Sequence, residues 1–339
     1  TSTNKLVFVY SVPKVGSTTI VSSLRIFGDD KIDIIHIHDE KMLMVLGNIN
    51  NITINELIQF NQYIGRDIFV IDVYRNPIER KMSAFFEKIG SYHFNNVDEK
   101  INNYDIDIIF NRFNRIFPHI ANGDHFIDKY GINIPPNFDY EKKYLIIEEN
   151  GIKYLKLRLT DVKLWGKILT DTLKQHIMIV KDYETNNKPI NKLYNQFKKH
   201  YKIPINYLEQ LTTDKYLKYY NSVDELNIYI SEWNKKVCPK MYPYSQAQYH
   251  VYDEITTENS HLDYIQSQHY IDDGCKCESC NNQRINLRNK IIRDGLSDGL
   301  VIEKIYHNGK KTKIIKQNNT IQLTPTFTGK MKQIVYKIK

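Results

Sequence analysis

The sequence predicts an α/β fold: a three-layer sandwich with a central parallel sheet flanked by helices, plus a small C-terminal α+β extension. Two observations carry that expectation. Strand and helix signals alternate over the first 200 residues, as they do when parallel strands are joined by crossover helices. The strand-sized runs Leu6–Tyr10 and Asp67–Tyr74 are apolar and β-branched, as buried strands are. At 339 residues there is room for one large domain and a smaller module.

The elements follow in order. Leu6 to Tyr10 is the first strand, followed by a Pro/Gly/Ser loop and a helix from about Thr18 to Ile26. Ile32 to His38 is the second strand. Thr53 and Glu56 form a capping box that opens a helix through about Ile64. After the third strand, Asn76, Pro77 and Glu79 supply an N-cap, an N1 proline and an N3 glutamate, so a helix begins abruptly. A helix is expected near Asp105 to Phe117, then a loop around Pro135-Pro136. Tyr144–Glu148 and Lys153–Leu159 flank Asn150-Gly151, a hairpin-type turn. Asp161–Leu173 reads as helix, His176–Val180 as a further strand and Ile190–Tyr201 as helix. A second capping box, Ser222 with Glu225, opens a helix to about Lys236.

After Cys238 the character changes, which divides the chain into a main domain, 1–238, and an extension, 239–339. A Tyr/Gln/His-rich stretch and a Cys-rich segment lead to a helix near Gln283–Arg293. Val301–Tyr306 and Lys313–Lys316 flank Asn308-Gly309, a hairpin signal, and Lys332–Ile338 adds a third strand.

The net charge of +8 suits an anionic partner. Its lysines and arginines are dispersed, with no basic arm or arginine-rich tract, so no nucleic-acid partner is expected. No apolar run is long enough for a transmembrane segment. The N-terminus shows no signal-peptide pattern and no initiating Met. A cytoplasmic location is the default expectation, with the Golgi lumen as the alternative if an anchor has been removed.

Two loops carry the chemistry. Pro13-Lys14-Val15-Gly16-Ser17-Thr18-Thr19 lies between a buried strand and a helix. Gly16 lets the backbone turn close to a ligand, and the helix start offers N–H groups to an anion. Ser17, Thr18 and Thr19 add hydroxyl donors and Lys14 a mobile charge. The loop is P-loop-like in character, but its lysine precedes the glycine, unlike the nucleotide triphosphatase pattern. The second motif, Arg75-Asn76-Pro77, begins where the third strand ends, and Ser83 follows two helical turns on. Arg75 can fork onto a phosphate.

Together these motifs resemble those of the sulfotransferases that use 3′-phosphoadenylyl sulfate (PAPS). The resemblance is specific over about residues 5–90 and looser to about 236, where it is similar to carbohydrate and capsular-polysaccharide members. It implies that Lys14, Gly16, Ser17, Thr18 and Thr19 bind the 5′ side of PAPS, and that Arg75 and Ser83 bind its 3′-phosphate. It further implies sulfuryl transfer from PAPS as co-substrate, with no metal required, to a carbohydrate hydroxyl, with an anionic polysaccharide among the acceptors. A protein tyrosine, a small phenol, a P-loop phosphotransferase and a non-catalytic binding scaffold are the alternatives.

His36 and His38 end the second strand on one face, and an ordinary imidazole suits general-base work at neutral pH. Either can be the base. Asp39, Glu40 and Glu87 are the fallback carboxylates. Cys275, Cys277 and Cys280 offer three thiols for zinc, with Cys238, His261 or His269 as a fourth ligand, but the second C-x-x-C pair of a standard site is missing. Free thiols or one local disulfide are the alternatives.

Overall fold

The computed structural model describes residues 5–28, 32–47, 49–87, 89, 106–116, 121–181, 190–245, 285–286, 288–289, 291–294, 300–306 and 334–338. The chain forms β1 (Lys5–Tyr10), α1 (Ser17–Phe27), β2 (Ile32–Ile37), α2 (Glu40–Gly47), α3 (Ile54–Tyr63), β3 (Asp67–Tyr74) and α4 (Pro77–Glu87). Then come α5 (Ile106–Ile116), α6 (His125–Asp128), β4 (Tyr144–Glu149) and β5 (Ile152–Arg158). A 3₁₀ turn (Leu159–Leu164) leads into α7 (Trp165–Leu173), followed by β6 (Val180–Lys181), α8 (Asn191–His200), β7 (Ile203–Pro204) and α9 (Ile205–Thr213). The remainder is α10 (Lys215–Tyr220), α11 (Val223–Asn234), β8 (Val237–Cys238), β9 (Leu300–Tyr306) and β10 (Ile334–Ile338).

The central sheet has the order β2-β1-β3-β5-β4. Its first four strands are parallel, and β4 joins the edge antiparallel to β5. The hairpin between them turns at Asn150 and Gly151, with φ of 53° and 74°, so both central residues are left-handed. Period-two alternation sorts the strands into two buried faces. Val7, Val9, Phe69, Ile71, Val73, Leu155 and Leu157 pack with α1 and α7, while Leu6, Phe8, Tyr10, Ile68, Val70 and Tyr154 pack with α3, α6 and α10. A third core, rich in aromatic rings, joins α4, α5, α8, α9 and α11. The result is the expected sandwich.

Both capping boxes are made. Thr53 and Ser222 each accept from the N3 backbone, and Glu56 and Glu225 reach back. At the start of α4, the Asn76 carbonyl accepts from Arg80 N at 3.0 Å, whereas Asn76 Oδ1 makes no hydrogen bond among the described residues, so its side chain does not cap the helix.

Two expected elements change. The strand read over His176–Val180 shrinks to Val180–Lys181, outside the central sheet and parallel to β9. Its upstream backbone donors go to side chains instead of a ladder: Ile177 N to Thr170 Oγ1 and Val180 N to Ser23 Oγ. The helix read over Asp161–Leu173 begins as the 3₁₀ turn, with Asp161 off helical geometry and its carboxylate held by Arg158 at 2.5 Å. In the extension β9 pairs antiparallel with β10. The intervening strand read at Lys313–Lys316, its Asn308-Gly309 turn and the cysteines at 275, 277 and 280 lie outside the described residues.

Candidate functional site

β1 lies between β2 and β3, so the chain crosses over β1 as it runs from β2 to β3. Open α/β sheets leave a crevice at such a switch point, beyond the C-terminal strand ends. The loop from Ser11 to Gly16 sits there. Gly16 precedes α1 with φ 97°, no side chain caps the helix, and no acidic residue occupies its first turn. The first N–H groups and the positive end of the helix dipole therefore face the loop, a setting for an anion.

Gly16 is required twice over. Its φ is left-handed, and a Cβ there would stand 2.9 Å from Leu159 Cδ1 and 3.4 Å from Trp165 Cη2. Gly16→Ala is expected to destabilise the fold by about 1–3 kcal/mol, from backbone strain plus overpacking. A urea midpoint unchanged from wild type would refute it.

Lys14 is left-handed too, at φ 67°, which strains a residue with a Cβ. Arg75 Nη1 donates to the Lys14 carbonyl at 3.0 Å, and Lys14 Nζ pairs with Glu87 at 2.9 Å. Arg75 is the first residue beyond β3, the neighbour of β1. Lys14 and Arg75 therefore meet at one edge of the sheet. Arg80 tightens the junction, donating to the Pro13 carbonyl at 3.3 Å and to the carbonyls of Asn122 and Gly123 at 2.9 and 3.0 Å. Helical spacing puts Arg80, Ser83 and Glu87 on one stripe of α4. Ser83, part-buried, lies between the two residues that touch the loop.

The hydroxyls of the loop diverge. Thr18 and Thr19 are part-exposed at the helix start, whereas Ser17 is buried, its Oγ 3.0 Å from His36 Nε2. His36 is buried as well, and its ring centroid lies 4.9 Å from that of His38. His38 is only part-buried, and its Nδ1 stands 2.6 Å from the Ser11 carbonyl. A carbonyl can only accept, so Nδ1 carries the proton and Nε2 is the basic nitrogen. Desolvation lowers the His38 pKa to about 4, against the raising effect of the Ser11 bond, which leaves a neutral imidazole at pH 7.

The sequence reading missed His125. Its Nε2 donates to the His38 carbonyl at 2.7 Å and its ring lies 4.6 Å from that of Tyr10. Desolvation lowers its pKa to about 4 as well, so it braces the His38 backbone as a neutral group. Asp39 and Glu40 are structurally engaged: Asp39 Oδ1 accepts from Met42 N at 3.2 Å, and Glu40 lies 3.7 Å from Lys129.

Beneath the cleft lies a buried ionic cluster. Lys156 Nζ contacts Asp72 Oδ2 at 2.7 Å and also Asp124 Oδ2. Phe126 N donates to Asp72 at 3.0 Å and Tyr220 OH to Asp124 at 2.8 Å. The cluster ties β3, which Arg75 follows, to the 122–126 segment that receives Arg80 and supplies His125.

Residues 1–128 match the family described as the Sulfotransferase family. Over that span the chain is similar to the sulfotransferases. No curated protein and no solved structure matches the chain. The matched span holds both loops, both strand-end histidines and the 122–126 segment. It supports sulfuryl transfer as the chemistry and a transferase as the class. Among the described residues no group of His, Cys, Asp and Glu could hold a metal ion, and no helix is long and apolar enough to cross a membrane. Of the proposed zinc ligands only Cys238 is described, a free thiol 3.4 Å from the Lys202 carbonyl.

Proposed function

We propose that the chain transfers the sulfuryl group of PAPS to a hydroxyl of a carbohydrate acceptor. One observation supports the reading: Arg75 donates to the Lys14 carbonyl, so the two strand-to-helix junctions meet at one edge of the sheet. The donor set fits a doubly phosphorylated nucleotide. It consists of an uncapped helix start, the ammonium of Lys14, the guanidinium of Arg75 and the part-exposed hydroxyls of Thr18, Thr19 and Ser83. PAPS supplies an activated sulfuryl group whose departure leaves adenosine 3′,5′-bisphosphate.

In this reading Lys14, Gly16, Thr18 and Thr19 hold the 5′ side, with Ser17 turned inward to lock the loop onto His36. Arg75 and Ser83 hold the 3′-phosphate. His38 is the base. As the acceptor oxygen bonds to sulfur and the sulfur–oxygen bond to the phosphate breaks, the acceptor proton passes to His38 Nε2. Lys14 stabilises the charge that builds on the departing phosphate oxygen. A sugar hydroxyl is a weak acid and needs a base at the moment of transfer, and a neutral imidazole with Nε2 unprotonated can accept that proton. His36, buried against Ser17, positions the loop.

Adenosine 3′,5′-bisphosphate is expected to raise the melting temperature, and ATP with Mg²⁺ to leave it unchanged. With labelled PAPS and a glycan panel, Lys14→Ala and His38→Ala should each lose about a hundredfold or more in turnover. Near-normal turnover in both variants would sink the assignment, and a response to ATP–Mg²⁺ alone would make the chain a phosphotransferase.

A further inference from the structure

The ladder between β1 and β2 ends with Tyr10 opposite Ile37, so His38 lies one residue beyond it and the sheet does not set where this histidine sits. Side chains and a loop carbonyl hold it instead. The His38 N–H meets the Met42 thioether, a weak acceptor, at 3.1 Å. The His38 carbonyl accepts from His125 Nε2 at 2.7 Å, a short bond for a nitrogen donor. On the ring, Nδ1–H donates to the Ser11 carbonyl at 2.6 Å. One grip holds the imidazole and the other holds the backbone that carries it.

His125 is itself firmly placed. The residue before it, Asp124, accepts from Ile127 N at 3.0 Å and from Tyr220 OH at 2.8 Å through Oδ1, while Oδ2 is on the buried Lys156. Asp124 N donates to Asp128 Oδ2 at 2.9 Å, and the Tyr10 ring backs the His125 imidazole at 4.6 Å. The ionic cluster of the core is thus one backbone step from the donor that grips His38. Burial keeps His125 uncharged at neutral pH, so it braces the base without adding a cation beside it.

We infer that His125 is a positioning residue for sulfuryl transfer, holding the His38 backbone so that Nε2 meets the acceptor hydroxyl. This rests on the PAPS reading above. In the step it serves, the acceptor oxygen bonds to sulfur, the bond from sulfur to the 5′-phosphate oxygen breaks, and the acceptor proton goes to His38 Nε2. His125 touches neither substrate in this reading. It sets the distance over which the proton moves, and a misplacement of about 1 Å is enough to cost about a hundredfold. The loss falls on kcat rather than on donor binding, because the Lys14 loop is held by Arg75, Arg80 and Glu87.

The test follows label from PAPS to the glycan that wild type labels fastest, in wild type, His125→Phe, His125→Gln, His38→Ala and the double variant His38→Ala/His125→Phe. Phenylalanine keeps a ring against Tyr10 and removes the donor, whereas glutamine keeps an N–H near the place of Nε2. His125→Phe should lower kcat about tenfold or more with KM for PAPS within about twofold, and His125→Gln should recover to within about threefold of wild type. The double variant should be no slower than His38→Ala, since His125 acts through a group already gone. If urea curves show that the phenylalanine variant does not fold, His125→Leu takes its place. An unchanged kcat in the folded donor-free variant, a loss confined to KM, a glutamine variant equally slow, or a double variant slowed by the product of the single losses overturns the inference and leaves the PAPS reading standing. A wild type that moves no label from PAPS overturns both.

Discussion

Lys156→Met is expected to lower the unfolding free energy by about 3–5 kcal/mol, the usual penalty for leaving a buried charge without its partner. Lys156 and Asp72 are fully buried, Asp124 nearly so, and the lysine is the cation that both carboxylates contact. Methionine keeps the volume and removes the charge, so packing is not the cause of the loss. Burial already pushes the Asp72 pKa up to about 6 despite Lys156 beside it, and without the lysine it must rise further. A group whose folded pKa lies above its unfolded value binds protons more readily when folded. Falling pH therefore favours the folded variant, and its deficit should shrink as pH drops from 7 towards 5. Urea midpoints at the two pH values test this. A deficit under about 1 kcal/mol at pH 7 would mean that water or relaxation solvates the carboxylates.

The residues of that cluster show where the sequence was legible. Asp72 stands out in Ile68-Phe69-Val70-Ile71-Asp72-Val73, a carboxylate inside a buried strand, and such a residue must find a partner. That its partners are Lys156 and Asp124, 84 and 52 residues further on, is a property of the sheet order and of no local pattern. The two loops were legible because phosphate binding at a strand-to-helix junction uses contiguous residues, so the glycine, the hydroxyls and the following helix can be read in one glance. Lys14 and Arg75 were each visible, and their contact was inferable from three parallel strands sharing one edge. His125 was not, because it acts across space on the His38 carbonyl, which no spacing rule connects to it. The strand read at His176–Val180 had the right composition, since Ile177, Ile179 and Val180 are buried, but apolar β-branched runs satisfy a loop packed on a core as well as a ladder.

Lys81→Met should change stability in the opposite sense, and with a pH signature. Lys81 lies on the inner side of α4, almost fully buried, and its Nζ makes no hydrogen bond among the described residues. Its surroundings are the faces of Phe113 and Tyr207, with ring centres 4.4 and 4.7 Å away. Desolvation lowers its pKa to about 7. An unfolded lysine titrates near 10.4, so between about pH 10 and 7 the unfolded chain is protonated at this site while the folded chain is still largely neutral. Unfolding then takes up a proton, and wild-type stability falls as pH drops through that window, levelling off below about 7. The full span corresponds to about 4 kcal/mol at pH 7, of which cation–π attraction to the two rings returns about 1–2 kcal/mol. Lys81→Met places an unbranched apolar chain of similar length against the same rings and has nothing to protonate. It should be about 2–3 kcal/mol more stable than wild type at pH 7, and the gap should narrow towards pH 10, where the lysine is neutral and only its unsatisfied amine is disfavoured. Denaturant curves of both proteins at the two pH values provide the measurement. A variant less stable than wild type at pH 7 would show that the ammonium is solvated within that core and that the rings alone do not surround it.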